Sequence, residues 1–478
     1  MVFSSILFVF LFLALQMSIY FFLDEKKRNV ELLIFSLIFY AWGGPAYLLL
    51  LTGETAISWF FGKKISKCKK EQPENDKAGK QYLIVACVCL LALLCIFKYV
   101  TFICENTNLL FGIPSKVPQI ILPIGISFYT FQLLSYVADV YRGDVEAQPL
   151  YWKLLLYSSL FHQCIAGPIV RYETVADEID HRKFDMNGLS KGIRRFSIGL
   201  AKKAILANTC ASMVDVLLPE GVTALSNQST LSLWFGVLCF MFEIYFDFSA
   251  YSDMAIGMGL MVGFHYLENF NYPYTATSVQ DFWRRWHISL STFFRDYVYI
   301  PLGGNRCSTA KYIRNMCAVW FLTGLWHGAS WNYILWGLYY LVFLLLERFV
   351  IKGRIPAGFN RIYTLLVIFF GWAIFKFENL AELGTVLKGM FTIHAGNFVG
   401  LDTKTQFISH LFFLIFAVIA CTPLGKQLRR KMVQTGLESN SALTIVNIID
   451  AILPALLLVL SLLALVGNSY NPFLYFQF

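Results

Sequence analysis

Trp320-Phe-Leu-Thr-Gly-Leu-Trp-His-Gly-Ala-Ser-Trp-Asn-Tyr-Ile-Leu-Trp336 reads as two apolar helical segments joined by a short polar turn at residues 328–330. His327 stands beside that turn, among tryptophans and aliphatic residues. An ionisable imidazole in a lipid-spanning sequence is costly to keep and marks a functional site by default. Upstream, Gln280-Asp-Phe-Trp-Arg-Arg-Trp-His-Ile-Ser-Leu-Ser291 supplies a second histidine, His287, in a cation-rich setting.

The surroundings of this hairpin are a membrane protein's. Of 478 residues, 57% are hydrophobic and 14% charged, a balance that excludes a chain of soluble domains. Apolar stretches near the ~20 residues needed to cross a bilayer as helix recur from Phe3 almost to the C-terminus. No stretch between them is long and polar enough for a separate soluble domain, so residues 1–478 read as a single membrane domain. Val2 to Leu23 has no positive side chain before it and Asp24-Glu-Lys-Lys-Arg28 after it, the reverse of a secretory signal, and reads as a retained helix. The net charge of +9 comes from short Lys/Arg loops that act as topology signals rather than as a nucleic-acid surface. The 11 cysteines are scattered, several within apolar segments (Cys87, Cys89, Cys95, Cys239, Cys317), without C-x-x-C or Cys/His ligand spacing. Neither a structural disulfide nor a metal site is expected.

Spanning candidates lie at 3–23, 31–61, 82–104, 120–141, 151–170, 196–218, 231–262, 312–328, 332–350, 361–377, 406–423 and 443–466. Basic loops at Lys26 to Arg28, Lys63 to Lys80, Arg171 to Arg195, Arg284 to Arg314, Lys352 to Arg361 and Lys426 to Lys431 can all be placed in the cytoplasm. From Arg284 onward the alternation closes, ending with an external C-terminus. Before it, parity fails twice, and is restored if 31–61 turns back at Gly43-Gly-Pro45 and 151–170 re-enters and leaves near Gly167-Pro168. Irregular backbone at membrane depth is tolerated only where protein or a water-filled cavity surrounds it. The expected fold is therefore all-α and polytopic: roughly eleven transmembrane helices, plus re-entrant and interfacial helices, around an internal cavity. The alternative is a set of ordinary kinked helices with one basic loop outside. Within the 231–262 span, Glu243, Asp247 and Asp253 are poor lipid-facing groups and read as scaffold or tunnel wall.

Residues 280–297 are too charged to span and too aromatic for a free loop. At 3.6 residues per turn, Trp286, Leu290, Phe293 and Tyr297 form an apolar stripe, and Gln280, Arg284, His287, Ser291 and Arg295 a polar one. This predicts one amphipathic helix at the interface or under the bundle. Its guanidinium groups suit either the phosphates or carboxylates of an anionic donor, or anionic lipid headgroups. His327 follows Trp320, Thr323 and Gly324 at helical spacing, so Gly324 would leave room beside the ring and Thr323 would offer a hydroxyl. A neutral imidazole there can take a proton from an attacking hydroxyl and return it to a leaving group; it can equally be a core histidine held by a backbone carbonyl. His162, His181, His265, His394 and His410 lie in plainer contexts and read as structural. No G-x-S-x-G elbow, P-loop or dinucleotide fingerprint is present, which favours direct transfer between donor and acceptor over a serine ester.

At this point the residues resemble a known family. Gln280 through Arg306, with Tyr299-Ile-Pro-Leu-Gly-Gly-Asn-Arg306 at its end, and Thr323-Gly-Leu-Trp-His-Gly-Ala-Ser-Trp331 look like the signature of the membrane-bound O-acyltransferases (MBOAT). Pro123-Ile-Gly-Ile-Ser-Phe-Tyr-Thr-Phe-Gln-Leu-Leu-Ser-Tyr-Val-Ala-Asp-Val-Tyr-Arg-Gly143, Ile165-Ala-Gly-Pro-Ile-Val-Arg171, Ile198-Gly-Leu-Ala-Lys-Lys203 and Asn471-Pro-Phe-Leu-Tyr-Phe-Gln-Phe478 fit the branch of the membrane subunit of bacterial alginate O-acetyltransferase. One departure is Ala250, where the branch pattern leads one to expect glycine, which puts close helix packing there in question.

The resemblance implies that His327 and His287 are the two signature histidines, facing a tunnel, with His327 as general base. It further implies that Arg284, Arg285, Trp286, Ser291, Arg295, Asp296, Thr323, Trp326 and Asn332 bind the donor or line the tunnel. The implied activity is acyl transfer, most simply acetyl, from a cytoplasmic thioester (acetyl-CoA or an acyl carrier) toward an extracytoplasmic polysaccharide, with no tightly bound cofactor. Implied partners are an extracytoplasmic acetyltransferase protein, membrane lipids and a cytoplasmic acyl carrier, with no nucleic acid; the implied location is the cell membrane, multi-pass. Rival readings are D-alanyl transfer from a carrier protein toward teichoic acid, a lipid-acceptor acyltransferase, and a polysaccharide exporter without chemistry.

Overall fold

The computed structural model describes residues 2–71, 77–112, 116–164, 167–351, 353–354, 356–393, 397–438, 440–467 and 473–474. Expectations that fall on His394, on residues 165–166 of the Ile165–Arg171 motif and on most of the 471–478 motif lie outside them. Among the described residues there are helices, turns and irregular segments, and no strand. The chain folds into two compact units, Met1–Phe196 with Tyr251–Glu268, and Ser197–Ala250 with Asn269–Phe478.

Five helices of the described residues are long and apolar enough to cross a bilayer: Lys77–Phe111, Thr230–Val262, Trp331–Ile351, Gly358–Lys376 and Thr444–Val466. Leu401–Ser409 and Leu411–Ala420, bent by 66°, make a sixth if taken as one broken span. This is fewer than the roughly eleven crossings expected from hydropathy and charge, and helix length and composition account for the difference. The first stretch yields Phe8–Phe22, a short apolar helix. Ile126–Arg142 has 17 residues and Tyr151–Ser159 has 9. Thr309–His327 begins with Lys311, Arg314 and Asn315 on its first turns.

In the first unit, the helix breaks at Gly43-Gly-Pro45, where the charge order predicts that the chain turns back. The Glu25–Ala41 helix ends there, the N–H groups of Gly43 and Gly44 donate to Tyr40 and Ala41 carbonyls at 3.1 Å, and Pro45 opens Pro45–Glu71. Gly44 has φ +153°, and a Cβ would meet the Tyr47 ring at 2.7 Å, so the break needs glycine. The 151–170 stretch breaks earlier than the expected point near Gly167-Pro168: its helix stops at Ser159, and Leu160 to Cys164 form a turn in which Gln163 N–H donates to Leu160 O at 3.0 Å. Phe3, Phe8, Phe12, Phe39 and Phe161 cluster with ring centroids 4.9–6.2 Å apart. Buried polar groups pair across helices, Thr130 donating to Glu54 at 2.8 Å and Thr55 meeting Ser158 at 2.8 Å. Asp253 pairs with Arg195 at 2.6 Å, and the same guanidinium forks onto both oxygens of Glu268 at 2.6–2.7 Å.

The second unit is built on aromatic packing around Trp286, Trp336, Trp372 and Tyr340, all buried. Ala250, in place of the expected glycine, is itself fully buried. Met186–Ala201 continues through a wider π-type turn, Lys202–Ala207, into Asn208–Leu217. Lys203 lies in that turn, and its ammonium meets Asp247 at 2.6 Å, both side chains being about 4% exposed. Taking two charges out of water is expensive, so removing one partner leaves the other uncompensated. Asp247→Ala should therefore destabilise the protein by about 3–5 kcal/mol, read as a lowered melting temperature in detergent; Asp247→Ala combined with Lys203→Met should recover part of the loss. An unchanged melting temperature for the single variant would contradict the pairing.

Candidate functional site

The hairpin that carries His327 depends on how closely its two helices approach. A Cβ on Gly324 would lie 2.5 Å from the Tyr333 carbonyl oxygen, one on Gly337 would strike the Trp320 carbonyl, and one on Gly328 the Tyr333 ring. Small residues at such crossings let backbones pack together where lipid offers no hydrophobic drive. Gly324 thus admits the partner helix Trp331–Leu346, not the imidazole as the sequence suggested. The Thr323 hydroxyl donates back to Val319 O at 2.7 Å, one turn earlier on its own helix.

His327 is the last residue of Thr309–His327 and is 6% exposed. Among the described residues, rings that meet its imidazole edge-on are Trp336 at 4.9 Å, Trp326 at 5.0 Å and Phe375 at 5.3 Å. Asn332 supports this box from outside, its amide donating to the Phe375 carbonyl at 3.0 Å. His327 also lines a narrow cavity of about 20 Å³, the space one water molecule needs. Ile244, Asp247 and Phe248 form one wall, Trp286, Trp372 and Phe375 another, and Leu474 of the C-terminal segment completes it. The cavity lies within the second unit.

His287 is not on one amphipathic helix with the arginines. The expected 280–297 helix is broken into Val279–Trp283 and Ile288–Phe294, and a π-type turn follows at Arg295–Tyr299. His287 sits at the break with φ +44°, a left-handed conformation uncommon for a residue with a side chain. Asn269 imposes it. The Asn269 carbonyl accepts from Ile288 N–H at 3.0 Å, and its side-chain oxygen accepts from Ser289 N–H at 3.1 Å and Ser289 Oγ at 2.9 Å. That same oxygen is 3.2 Å from His287 Nδ1. Because a backbone N–H can only donate, the Asn269 atom is an acceptor and His287 Nδ1 carries the proton. Nε2 then holds the lone pair, buried and without a hydrogen-bond partner among the described residues. Burial pushes the imidazole down to about 3, so it is neutral at physiological pH.

The break scatters the predicted polar stripe. Arg284 is exposed. Arg285 pairs with Asp281 at 2.9 Å, Arg295 forks onto neighbouring Asp296 at 2.6 and 3.1 Å, and Ser291 donates to Trp283 O at 3.2 Å. Trp286 turns inward and walls the cavity. Trp326 is the ring neighbour of both histidines, 5.7 Å from His287 and 5.0 Å from His327. The structure thus brings His327, Trp286 and Trp326 together, sets Asn332 behind them, and leaves the arginines, Ser291 and Asp296 outside the cavity wall.

Sequence reasoning missed Asn269, Lys203, Trp372, Phe375 and Leu474. Lys203 had a usable signal, a cation inside the apolar 196–218 stretch, and Leu474 lies in the Asn471–Phe478 motif; Asn269, Trp372 and Phe375 had none. Of the remaining histidines, His162 is buried with Nδ1 3.0 Å from the Tyr266 hydroxyl, His181 and His265 meet Asp177 and Glu178, and His410 Nδ1 lies 3.0 Å from Gln406 O on its own helix.

An imidazole at the wall of a small, mostly apolar cavity suits proton transfer in a dry site, the setting of group-transfer chemistry. The profile of the membrane-bound O-acyltransferase family matches residues 147–383. The chain is 37% identical to the probable alginate O-acetylase AlgI of Pseudomonas putida, with all of both chains covered. It is also 32% identical to the peptidoglycan O-acetyltransferase of Helicobacter pylori, covering all of this chain and 98% of that one. Similarity to the teichoic acid D-alanyltransferase of Bacillus subtilis is 31% over 51% of this chain and 64% of that one. The chain belongs to the membrane-bound O-acyltransferase family and is an O-acyltransferase.

The shift at His287 has a measurable sign. The unfolded chain binds a proton there near pH 6.5, the folded chain only near 3, so stability falls as pH drops through that window. The melting temperature in detergent should fall more between about pH 7.5 and 5 for the wild type than for His287→Asn; equal slopes would count against a buried, neutral ring.

Proposed function

We propose that this protein transfers an acetyl group from a cytoplasmic thioester to a hydroxyl presented from the outer side, as the membrane step in O-acetylation of a cell-envelope polysaccharide. The observation that carries the reading is His327 at the wall of the cavity, boxed by aromatic rings, in a chain alike over its full length to an alginate O-acetylase.

In this reading the membrane domain has roughly eleven crossings around a tunnel, as hydropathy and charge order suggest. The donor is acetyl-CoA or an acetylated carrier, consumed as co-substrate rather than held as cofactor. His327 accepts the proton of the attacking hydroxyl as its oxygen bonds to the thioester carbonyl carbon. The C–S bond then breaks, and the imidazolium returns the proton to the departing thiolate. The exposed Arg284 and the nearby Arg285 meet anionic groups of the donor at its entrance, and His287 with Trp326 lines the approach. The acetyl group passes to an extracytoplasmic partner protein that delivers it to the polymer, and the chain works in the bacterial inner membrane.

A second assignment of the base is favoured by one observation, the open Nε2 lone pair of His287 with its tautomer set by Asn269. D-alanyl transfer ranks below acetyl transfer because that likeness covers half of this chain.

His327→Ala should lower acetylation by about 10²–10⁴-fold or more at unchanged protein level and melting temperature, with surface glycans lighter by one acetyl per modified unit in mass spectrometry. Full acetylation by His327→Ala, with loss in His287→Ala, would move the base to His287. Full acetylation by both would sink the reading.

A further inference from the structure

The Leu474 wall of the cavity is held by its own set of contacts. Its backbone N–H donates to Asp247 Oδ2 at 2.8 Å. The other oxygen of that carboxylate takes the Lys203 ammonium at 2.6 Å, and the ammonium in turn sits 4.7 Å from the centre of the Phe473 ring, which is 1% exposed. One buried ion pair therefore fastens two successive residues of the C-terminal segment, the second of which faces the cavity beside His327. An ion pair is an expensive way to hold a segment, since both charges must be desolvated. What it gains here is position: the carboxylate fixes the backbone of Leu474, so its isobutyl group is set at one depth.

Apart from Asp247 and His327, the cavity wall is apolar, which suits the alkyl part of an acyl group with its carbonyl toward the imidazole. Leu474 is the wall that comes from the C-terminal segment, while Ile244, Phe248, Trp372 and Phe375 are carried by long helices. We infer that Leu474, strapped by Asp247, Lys203 and Phe473, closes the acyl-binding end of the cavity and restricts the enzyme to short acyl groups. The inference rests on the reading that an acyl thioester reacts at His327.

Truncating leucine to alanine removes more carbon than the extra methylenes by which butyryl exceeds acetyl. Each methylene in an apolar pocket is discriminated by about 10–200-fold. Membranes containing wild type, Leu474→Ala or Leu474→Trp are supplied with acetyl or butyryl thioesters of coenzyme A or of an acyl carrier protein, and acyl transfer to glycan is counted by mass spectrometry. The ratio of butyryl to acetyl transfer should rise at least about tenfold in Leu474→Ala, and Leu474→Trp should lose acetyl transfer while keeping the wild-type elution volume in detergent. Phe473→Ala should raise the ratio less than Leu474→Ala. Wild-type acetyl transfer with the ratio unmoved by Leu474→Ala overturns the inference alone. A wild type that transfers acetyl from neither thioester overturns the functional reading and the inference with it.

Discussion

The buried pair between Lys203 and Asp247 ties together the parts of the second unit that make its cavity. It joins the π-type turn at Lys202–Ala207, the long Thr230–Val262 helix and the C-terminal segment through Leu474. Such a pair persists only when its remaining hydrogen-bonding capacity is met. The Leu474 N–H meets part of it, and the Phe473 ring lies close to the ammonium. Charge neutralisation and wall building are thus one arrangement, and the carboxylate that satisfies a lysine also shapes the space next to His327.

The two histidines illustrate different ways of holding an imidazole away from water. His327 ends a helix and is boxed by Trp326, Trp336 and Phe375, so its orientation is a matter of packing. His287 occupies a left-handed turn, and its orientation is a matter of hydrogen bonding to Asn269. Trp326 lies against both rings. Two histidines well separated along the chain become two imidazoles that share one aromatic neighbour.

Much of the outline could be read directly. The break at Gly43-Gly-Pro45 followed from charge parity and from residues that cannot continue a helix, whereas the 151–170 stretch breaks after Ser159, ahead of the Gly167-Pro168 expected to mark it. The candidate hairpin is present, with His327 beside its turn. The 280–297 segment went the other way, because its 3.6-residue pattern is interrupted over Arg284 to His287. The cause is an Asn269 side chain 18 residues upstream, which no window centred on the helix contains. The room expected beside the imidazole at Gly324 is taken by the partner helix for a similar reason: helical spacing says which residues share a face, but not whether that face meets a ring or another backbone.

By itself the sequence determined class: an apolar all-helical chain, its break at Gly43-Gly-Pro45, and motifs whose likeness to a family points to acyl transfer. These are local properties, set by hydropathy over about 20 residues and by backbone chemistry at glycine and proline. Only the tertiary structure decided what surrounds the histidines. Leu474 and Asp247 are 227 residues apart in the chain and 2.8 Å apart in space, and such a contact leaves no periodic trace because it depends on how the intervening helices pack.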